Sequence, residues 1–344
     1  MTYLVRPAHP KNDAATVLSL WDRNSWPADS RRYSRMYEAN GPAPSFLWLA
    51  TTLERETVGT AGLLGRRMKI GSGEALTGQA MDLVVDARHR ILGPAVQLQR
   101  AVTASLGAGG LRLIYAFPNR QSEGVLRRAG YEVLGPVAHW TRPLRSIDRI
   151  RRHLGPSPVA SAAAWLVDAA IRTVSGEWKY RRPPGVRPVT LEVFDERFDD
   201  LWQRACPQFT VIGDRSADYL RWRFGACPWR RYQAFGILGR EERLEGYAVF
   251  YRKDRRVVLA DVLAAGLPAL TVLLMELSQR MRLEGAHALT MLCASTSWIA
   301  RAFRHLGFYR RNSDGHILLY PGSALPSGRQ PEADWHFTEA DRDV

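Results

Sequence analysis

The chain has 344 residues and a mass of 38.8 kDa, which is long for one domain and sufficient for two of roughly 150 residues each. Apolar residues make up 46% of the chain and charged residues 24%, a balance that excludes disordered, collagen-like and coiled-coil proteins. The net charge of +14 and the isoelectric point of 10.2 favour an anionic partner, although composition alone does not choose among nucleotides, nucleic acids and anionic lipids.

Two features of the sequence bear on compartment and metal content. Residues 1–7 have no basic segment followed by a long apolar one, so we expect neither a secretory signal nor an N-terminal membrane anchor. The three cysteines, Cys206, Cys227 and Cys293, are far apart and show none of the spacings of a zinc site. We therefore predict a protein without bound metal in the reduced cytoplasm.

The order of elements occurs twice along the chain. Residues 46–59 resemble residues 232–246, since both consist of a strand, a charged turn and a second strand. Farther on, residues 111–131 and 288–308 each give a strand, a helix and a Gly-aromatic pair. The repeat predicts two α/β units of similar architecture.

Residues 81–102 predict a buried strand, a short basic loop and a helix. The free N–H groups at a helix start and the positive end of its dipole favour an anion such as a pyrophosphate. Arg88 and Arg90 lie in the loop, Gly93 permits close approach of a ligand to the backbone, and Pro94 suits the first helical turn. The pattern therefore predicts a site for a phosphate-containing ligand.

This segment resembles the acetyl-CoA-binding motif of the GCN5-related N-acetyltransferases, the GNAT superfamily. The family pattern Q/R-x-x-G-x-G/A occurs as Arg90-x-x-Gly93-x-Ala95. Residues 118–122, followed by residues 126–131, are similar to the family's Asn-x-x-Ser/Ala stretch and to its helix ending in Gly-Phe/Tyr. The resemblance covers roughly residues 45–135.

The resemblance implies an acyl-CoA co-substrate, most simply acetyl-CoA, held between two strands that splay apart. The backbone of two strand residues would pair with the pantetheine arm, the loop would hold the pyrophosphate, and two polar side chains would lie near the thiol. The residues assigned to the cofactor in this way are Leu83, Val85, Arg88, Arg90, Ile91, Gly93, Pro94, Ala95, Asn119 and Ser122.

The resemblance also implies a general base and a general acid. Asp82 is the candidate base, but the family's frequent base lies one residue earlier, at Met81, and a shift of one residue reverses the face of a strand. The usual tyrosine acid corresponds to Leu126. Tyr115 and Tyr131 are near in sequence, although core packing is the simpler explanation for both. Proton transfer is then expected to pass through water or substrate.

The second half keeps a strand, a glycine and a Pro-Ala helix start at residues 257–269 but has no Arg or Gln in the loop. We expect this half to have lost CoA binding, since each missing charge-assisted hydrogen bond removes about 1.5–3 kcal/mol. Residues 219–228 resemble a segment of tandem GNAT-like proteins from bacterial envelope-polysaccharide clusters. They are candidates for a substrate groove or for plain core packing.

Residues 142–187 form a basic connector with ten cationic and three acidic residues. Its centre, residues 158–171, predicts a helix too short to span a bilayer. Trp165 and the arginines leave two interpretations open: contact with an anionic membrane surface, or a helix packed between the two units with its arginines in water. Residues 321–344 are rich in Pro and Gly before an acidic end, so we expect a flexible tail.

The sequence thus predicts an α/β (α+β) fold of two tandem GNAT-like domains, each a mixed, mostly antiparallel sheet flanked by helices. The expected boundaries are 1–141 for the CoA-binding domain, 142–187 for the connector, 188–320 for the degenerate domain and 321–344 for the tail. The expected activity is N-acylation of a small-molecule or glycan amine, such as an amino sugar of a cell-surface polysaccharide precursor. The alternatives are a Fem-type aminoacyl-tRNA-dependent transferase, against which the CoA loop argues, and a non-catalytic membrane-surface or interaction protein.

Overall fold

The structure is a computed structural model of the whole chain, and it describes residues 3–39, 41–90, 93–107, 110–225, 227–294, 296–311, 315–320 and 335–342.

The first half runs from an edge strand through helices to a three-stranded meander, then through two strand-helix pairs. Its strands are β1 (Leu4–Pro7), β2 (Ser45–Thr51), β3 (Thr57–Ile70), β4 (Gly73–Val85), β5 (Leu111–Ala116) and β6 (Glu132–Pro143). Its helices are α1 (Ala14–Arg23), α2 (Ser30–Tyr33), α3 (Gly93–Ala104) and α4 (Arg120–Arg128). Two helices follow in the connector, α5 (Ile147–Leu154) and α6 (Pro158–Val174).

The second half has the same kinds of element in a similar order. Its strands are β7 (Arg187–Leu191), β8 (Val211–Gly213), β9 (Gln233–Leu238), β10 (Leu244–Lys253), β11 (Arg256–Ala264), β12 (Ala288–Ala294), β13 (Tyr309–Arg311), β14 (His316–Tyr320) and β15 (Trp335–His336). Its helices are α7 (Glu196–Ala205), α8 (Ala217–Leu220), α9 (Leu267–Leu283) and α10 (Trp298–His305).

The strands form one continuous mixed sheet in the order β1-β2-β3-β4-β5-β14-β6-β12-β11-β10-β9-β7. Most neighbours are antiparallel, whereas β4 with β5 and β11 with β12 are parallel pairs joined by the crossover helices α3 and α9. The predicted fold class, a mixed and mostly antiparallel sheet flanked by helices, is confirmed.

The closing strands of the two halves are exchanged. Strand β14 of the second half lies between β5 and β6 of the first, and β6 in turn pairs with β12. The sheet therefore continues across the predicted boundaries at residues 141 and 188, and those boundaries stay a sequence prediction.

Helices cover both faces of β2, which explains why its residues 46–50 form a continuous apolar run. Leu47 and Leu49 point to the layer of α1 and α2, whereas Trp48 and Ala50 point to the layer of α3 and α4. This alternation with a period of two is the ordinary geometry of a strand between two helical layers.

The prediction of a flexible tail is wrong for residues 335–342. Trp335, Phe337, Ala340 and Asp341 are each at most 3% exposed, and β15 pairs with β8. Apolar burial and ion pairing hold this segment in place. Neither can be recognised from the composition of the segment itself. Residues 321–334, which belong to the same prediction, lie outside the described residues.

The buried segment is fixed by an ion pair that joins the two halves. Both carboxylate oxygens of Asp341 accept bonds from Arg215 of the second half, at 3.1 and 2.6 Å, and its Oδ1 also accepts one from Arg66 of β3, at 3.0 Å. All three side chains are at most 2% exposed. Burial alone would raise the pKa of Asp341, but the two arginines hold it below its ordinary value.

Replacing Asp341 with Asn should lower the free energy of unfolding by about 3–5 kcal/mol, because it removes the negative charge that the buried Arg66 and Arg215 share and leaves Arg215 with Asp261 alone. Denaturant titration at neutral pH measures this change. The matched control is Asp218→Asn, whose carboxylate is 86% exposed beside Arg221 and should cost no more than about 1 kcal/mol. Equal stability of the two variants would contradict a structural role for the buried pair.

Candidate functional site

Strands β4 and β5 separate within the sheet. Their parallel register runs from Leu76 opposite Leu111 to Ala80 opposite Ala116 and stops there. Residues 81–85 still pair with β3 on one side, but no strand among the described residues pairs with them on the other. This leaves an open edge of strand backbone, as the resemblance led us to expect.

A β-bulge at Asp82 begins the separation. Thr60 lies opposite Val84 and Gly62 opposite Met81, so that Ala61 alone faces the two residues Asp82 and Leu83. Asp82 has φ of 48°, in the left-handed region that aspartate tolerates better than most residues. The Oγ1 of Thr60 donates a hydrogen bond to the Asp82 carbonyl at 3.1 Å, which fixes this conformation.

The separation opens a cleft of about 240 Å³. It is bounded by the ends of the two strands, by α3 and α4, by the loop after α1 and by the end of the chain. Its lining residues are Trp26, Ala80, Met81, Asp82, Leu83, Gln99, Ala116, Phe117, Pro118, Asn119, Ser122, Leu126 and Arg342. Trp26, Gln99 and Arg342 carried no sequence motif, because they reach the cleft only through tertiary packing.

The carboxylate of Asp82 lies in the cleft wall but is fully bonded. Its Oδ1 accepts from Trp26 Nε1 at 3.1 Å and from Arg32 at 2.9 Å, and its Oδ2 accepts from Tyr37 Oη at 2.6 Å and from Arg32 at 3.2 Å. A carboxylate has about four lone-pair positions, and here four donors occupy them. Asp82 therefore anchors α2 and the segments on either side of it to the bulge. These bonds argue against the role of general base, which stays a prediction.

The two residues predicted to pair with the pantetheine arm through their main chain differ in the structure. Leu83 lies in the bulge, next to the open strand edge, and borders the cleft. Val85 is less suitable than predicted, because its carbonyl oxygen already accepts a hydrogen bond from Arg90 Nε at 3.0 Å.

The two loop arginines brace the end of β4. The side chain of Arg88 binds Asp86 and Glu56, and its hydrogen bond holds the pKa of Asp86 well below the usual range. Arg90 binds the Val85 carbonyl and Asn24 Oδ1. Their charges lie beside the start of α3, partly offset by the two carboxylates. Ile91, also assigned to the cofactor, lies outside the described residues.

Helix α3 begins at Gly93, with Pro94 and Ala95 in its first turn, as predicted. A methyl group built on Gly93 would meet only the Tyr3 ring, at 3.5 Å, so the position has space on the side that a ligand would approach. The first N–H groups of a helix have no intrahelical carbonyl partner, so this end suits an anion, and the pyrophosphate site stays a prediction.

Asn119 and Ser122 form a reciprocal cap at the start of α4. The side-chain oxygen Oδ1 of Asn119 accepts from the backbone N–H groups of Gln121 and Ser122, and Ser122 Oγ accepts from the Asn119 N–H at 3.1 Å. Both residues border the cleft. Their side-chain oxygens already form hydrogen bonds that cap α4, so a contact with the cofactor stays a prediction.

The proton donor expected from the resemblance is missing from the cleft wall. Leu126 occupies that position and borders the cleft. Tyr131 donates to Gln99 Oε1 at 3.1 Å and is 3% exposed, and burial raises its pKa above the ordinary value. Tyr115 is fully buried and donates to the carbonyl of Asp341. Both tyrosines are core residues.

The second half has an equivalent separation, and the end of the chain fills it. The register of β11 with β12 stops at Leu259 opposite Met291. The His336 ring bonds the Val262 carbonyl on one side of the gap, at 3.2 Å, and Ser297 Oγ on the other, at 3.0 Å. Thr338 Oγ1 donates to Asp261 at 2.8 Å. This plug, residues 335–342, occupies the place where the second half would hold a ligand.

Within residues 219–228, Tyr219 and Arg223 hold the plug. Tyr219 Oη donates to the Ala340 carbonyl at 2.7 Å, and Arg223 donates to the carbonyls of Glu339 and Arg342. Tyr219, Arg223 and Phe224 are each at most 4% exposed. Core packing, the second of the two interpretations of this segment, is therefore the correct one for these residues.

Comparison with solved structures gives similar folds at low sequence identity. A GCN5-related N-acetyltransferase from Anabaena variabilis is 13% identical with a TM-score of 0.66, and the match covers 92% of this chain and 72% of that one. A probable N-acyltransferase from Enterococcus faecalis is 11% identical with a TM-score of 0.66, over 93% and 72%. The chain has a GNAT-like fold.

A third match extends the comparison to longer acyl chains. N-myristoyltransferase from Saccharomyces cerevisiae, solved with myristoyl-CoA, is 11% identical with a TM-score of 0.57, over 94% of this chain and 84% of that one. No protein-family model matches the sequence, and no curated protein matches it. At these identities the comparisons establish the GNAT-like fold and leave the activity to be argued from the cleft.

Replacing Asp82 with Asn should lower the free energy of unfolding by about 3–5 kcal/mol, because it removes the negative charge that Arg32 contacts through two buried hydrogen bonds. Urea titration measures the loss, with the exposed Asp22→Asn of α1 as control. If the Asp82 variant kept full stability, the carboxylate would not be committed to Arg32, and the role of general base would be restored.

A second prediction concerns pH and the plug. Burial lowers the pKa of His336 to about 4, so the folded protein holds this ring neutral while the unfolded chain protonates it near pH 6.5. Stability should therefore decrease as the pH falls from about 6.5 to about 4, by at most about 1.4 kcal/mol per pH unit from this residue. His336→Asn should flatten the measured slope, whereas His153→Asn on exposed α5 should leave it unchanged. Equal slopes for His336→Asn and the wild type would contradict the burial of a neutral ring.

Proposed function

We propose that this protein is an acyl-CoA-dependent N-acyltransferase that uses acetyl-CoA and an amine acceptor. The observation that carries the proposal is the open edge of β4 at residues 81–85, beside the start of α3. An extended pantetheine arm has amide groups that can pair with such an edge, and a pyrophosphate suits the free N–H groups of a helix start.

The residues that would hold the donor follow from this placement. The main chain of Leu83 would pair with the pantetheine, and the first turn of α3 from Gly93 to Ala95 would bind the pyrophosphate. Arg88 and Arg90 would contribute positive charge from the loop. Asn119 and Ser122 would border the thiol end.

Acyl-CoA supplies an activated thioester, whose acyl carbon the amine attacks as the C–S bond breaks. With Asp82 committed to Arg32 and Leu126 in the acid position, the protein presents neither a base nor an acid at these two positions. The proton lost by the amine then leaves through water or substrate, and the thiolate is protonated in the same way. The chain's contribution is mainly to bring the two reactants together.

The charge of the cleft wall bears on the acceptor. Arg342 places its guanidinium 5.3 Å from the centre of the Phe117 ring in the cleft wall. An acceptor that carries an anionic group near its amine should therefore bind better than a neutral one, and phosphorylated amino sugars are the first class to screen.

Titration calorimetry with acetyl-CoA tests the proposal, and the repeat supplies a matched pair of variants. Gly93→Asp places a carboxylate at the start of α3 and should reduce affinity for acetyl-CoA at least tenfold, because it repels the pyrophosphate. Gly266→Asp makes the same change at the start of α9 and should leave the affinity unchanged. Both positions accept a side chain, since a methyl group meets its nearest atom at 3.5 Å at Gly93 and at 3.8 Å at Gly266.

Loss of acetyl-CoA binding in the Gly266 variant alone would place the donor site in the second half. Failure of the wild type to bind acetyl-CoA and free CoA would reject the proposal and leave the non-catalytic and aminoacyl-tRNA-dependent alternatives.

A further inference from the structure

Large apolar side chains are concentrated on the surface of the connector. Seven of the fourteen exposed large apolar residues recorded for the described chain lie within residues 154–178. They are Leu154, Val159, Trp165, Leu166, Val167, Val174 and Trp178. We call this surface, on α5, α6 and the turn that follows, the connector face.

Helix α6 exposes its large apolar residues, whereas an ordinary surface helix buries them. The helix buries its small residues Ala160 and Ala164, while Trp165 is 71% and Leu166 62% exposed. Two bonds fix this orientation: Ser146 Oγ donates to the Ala164 carbonyl, and Asp168 accepts from the Ser146 N–H at 2.7 Å. A helix that points its largest apolar side chains to solvent marks an interaction surface.

The connector face is also cationic, because the acidic residues of the connector are engaged elsewhere. Asp148 binds Arg255 and His287, Asp168 caps the main chain at Ser146, and Glu177 is buried between Arg142 and Arg282. Five exposed arginines then have no carboxylate partner within the described part of the chain. They are Arg145, Arg149, Arg151, Arg152 and Arg172.

We propose that the connector face docks on the surface of an anionic lipid bilayer. Trp165 and Leu166 would enter the interface, while the arginines would contact phosphate headgroups. The protein would lie on the membrane rather than cross it, since no described helix has the length and apolarity of a membrane span. This proposal does not depend on the acyltransferase activity.

The chemistry of the connector face favours lipid over other occupants. In a symmetric dimer the same patch meets itself, and its unpaired arginines would repel each other. Single-stranded nucleic acid would use the arginines and the tryptophans but would gain little from aliphatic Val159, Leu166 and Val174. A bilayer of anionic lipid uses both the charge and the aliphatic surface.

Vesicle co-sedimentation tests the proposal. Wild-type protein should bind vesicles of mixed phosphatidylglycerol and phosphatidylcholine at least tenfold more tightly than vesicles of phosphatidylcholine alone, and added salt should weaken the binding. The double variant Trp165→Glu, Leu166→Glu should lose at least tenfold in affinity. Arg151→Ser, Arg152→Ser should lose roughly fivefold for each arginine and depend less on salt.

The matched control is Leu53→Glu, Leu283→Glu, which changes two equally exposed leucines on other surfaces and should bind as the wild type does. Unchanged thermal unfolding of each variant shows that its fold is intact, since all the substituted side chains are exposed. Equal binding to neutral and anionic vesicles, or wild-type binding by the Trp165, Leu166 variant, would overturn the proposal. So would a wild-type dimer that this variant converts to a monomer without any vesicle binding, since the face would then join two chains.

Discussion

The ion pair of Asp341 with Arg66 and Arg215 is the constraint on which the arrangement of the molecule depends. It holds the plug in the gap of the second half, where His336 and Thr338 take the positions that a ligand would need. Because Asp341 directly precedes Arg342, the same pair sets a guanidinium in the wall of the first cleft. The buried carboxylate of Asp341 thus accounts both for the closed gap in the second half and for the positive charge in the cleft of the first half.

Local sequence patterns predicted the helices and strands well. They did not predict which strands that are distant in sequence pair with each other. The strand, basic loop and helix at residues 81–102 are specified by neighbouring residues, so the helix start at Gly93 followed from the sequence. The GNAT-like fold followed from the resemblance of this segment to the family motif. The exchange of β14 and β6 depends on which strand reaches which edge, and periodicity does not encode that choice. The plug was missed for the same reason, since its partner Arg66 lies 275 residues away in sequence.

A shift of one residue along β4 changes what a carboxylate in the cleft wall can do. Asp82 is one position from the family's frequent base, and the bulge turns its carboxylate toward Arg32, Tyr37 and Trp26 instead of leaving it free. A β-bulge is set by the partner strand and has no dependable sequence pattern. Under the proposed function, with Leu126 in the acid position, the cleft would position two reactants more than it would move protons between them.

The most direct test of the account is a crystal structure of the protein with CoA bound. We expect the pyrophosphate at the first turn of α3, the pantetheine between residues 81–85 and Phe117, and residues 335–342 still seated between β11 and β12. CoA bound between β11 and β12, with those residues displaced, would contradict it.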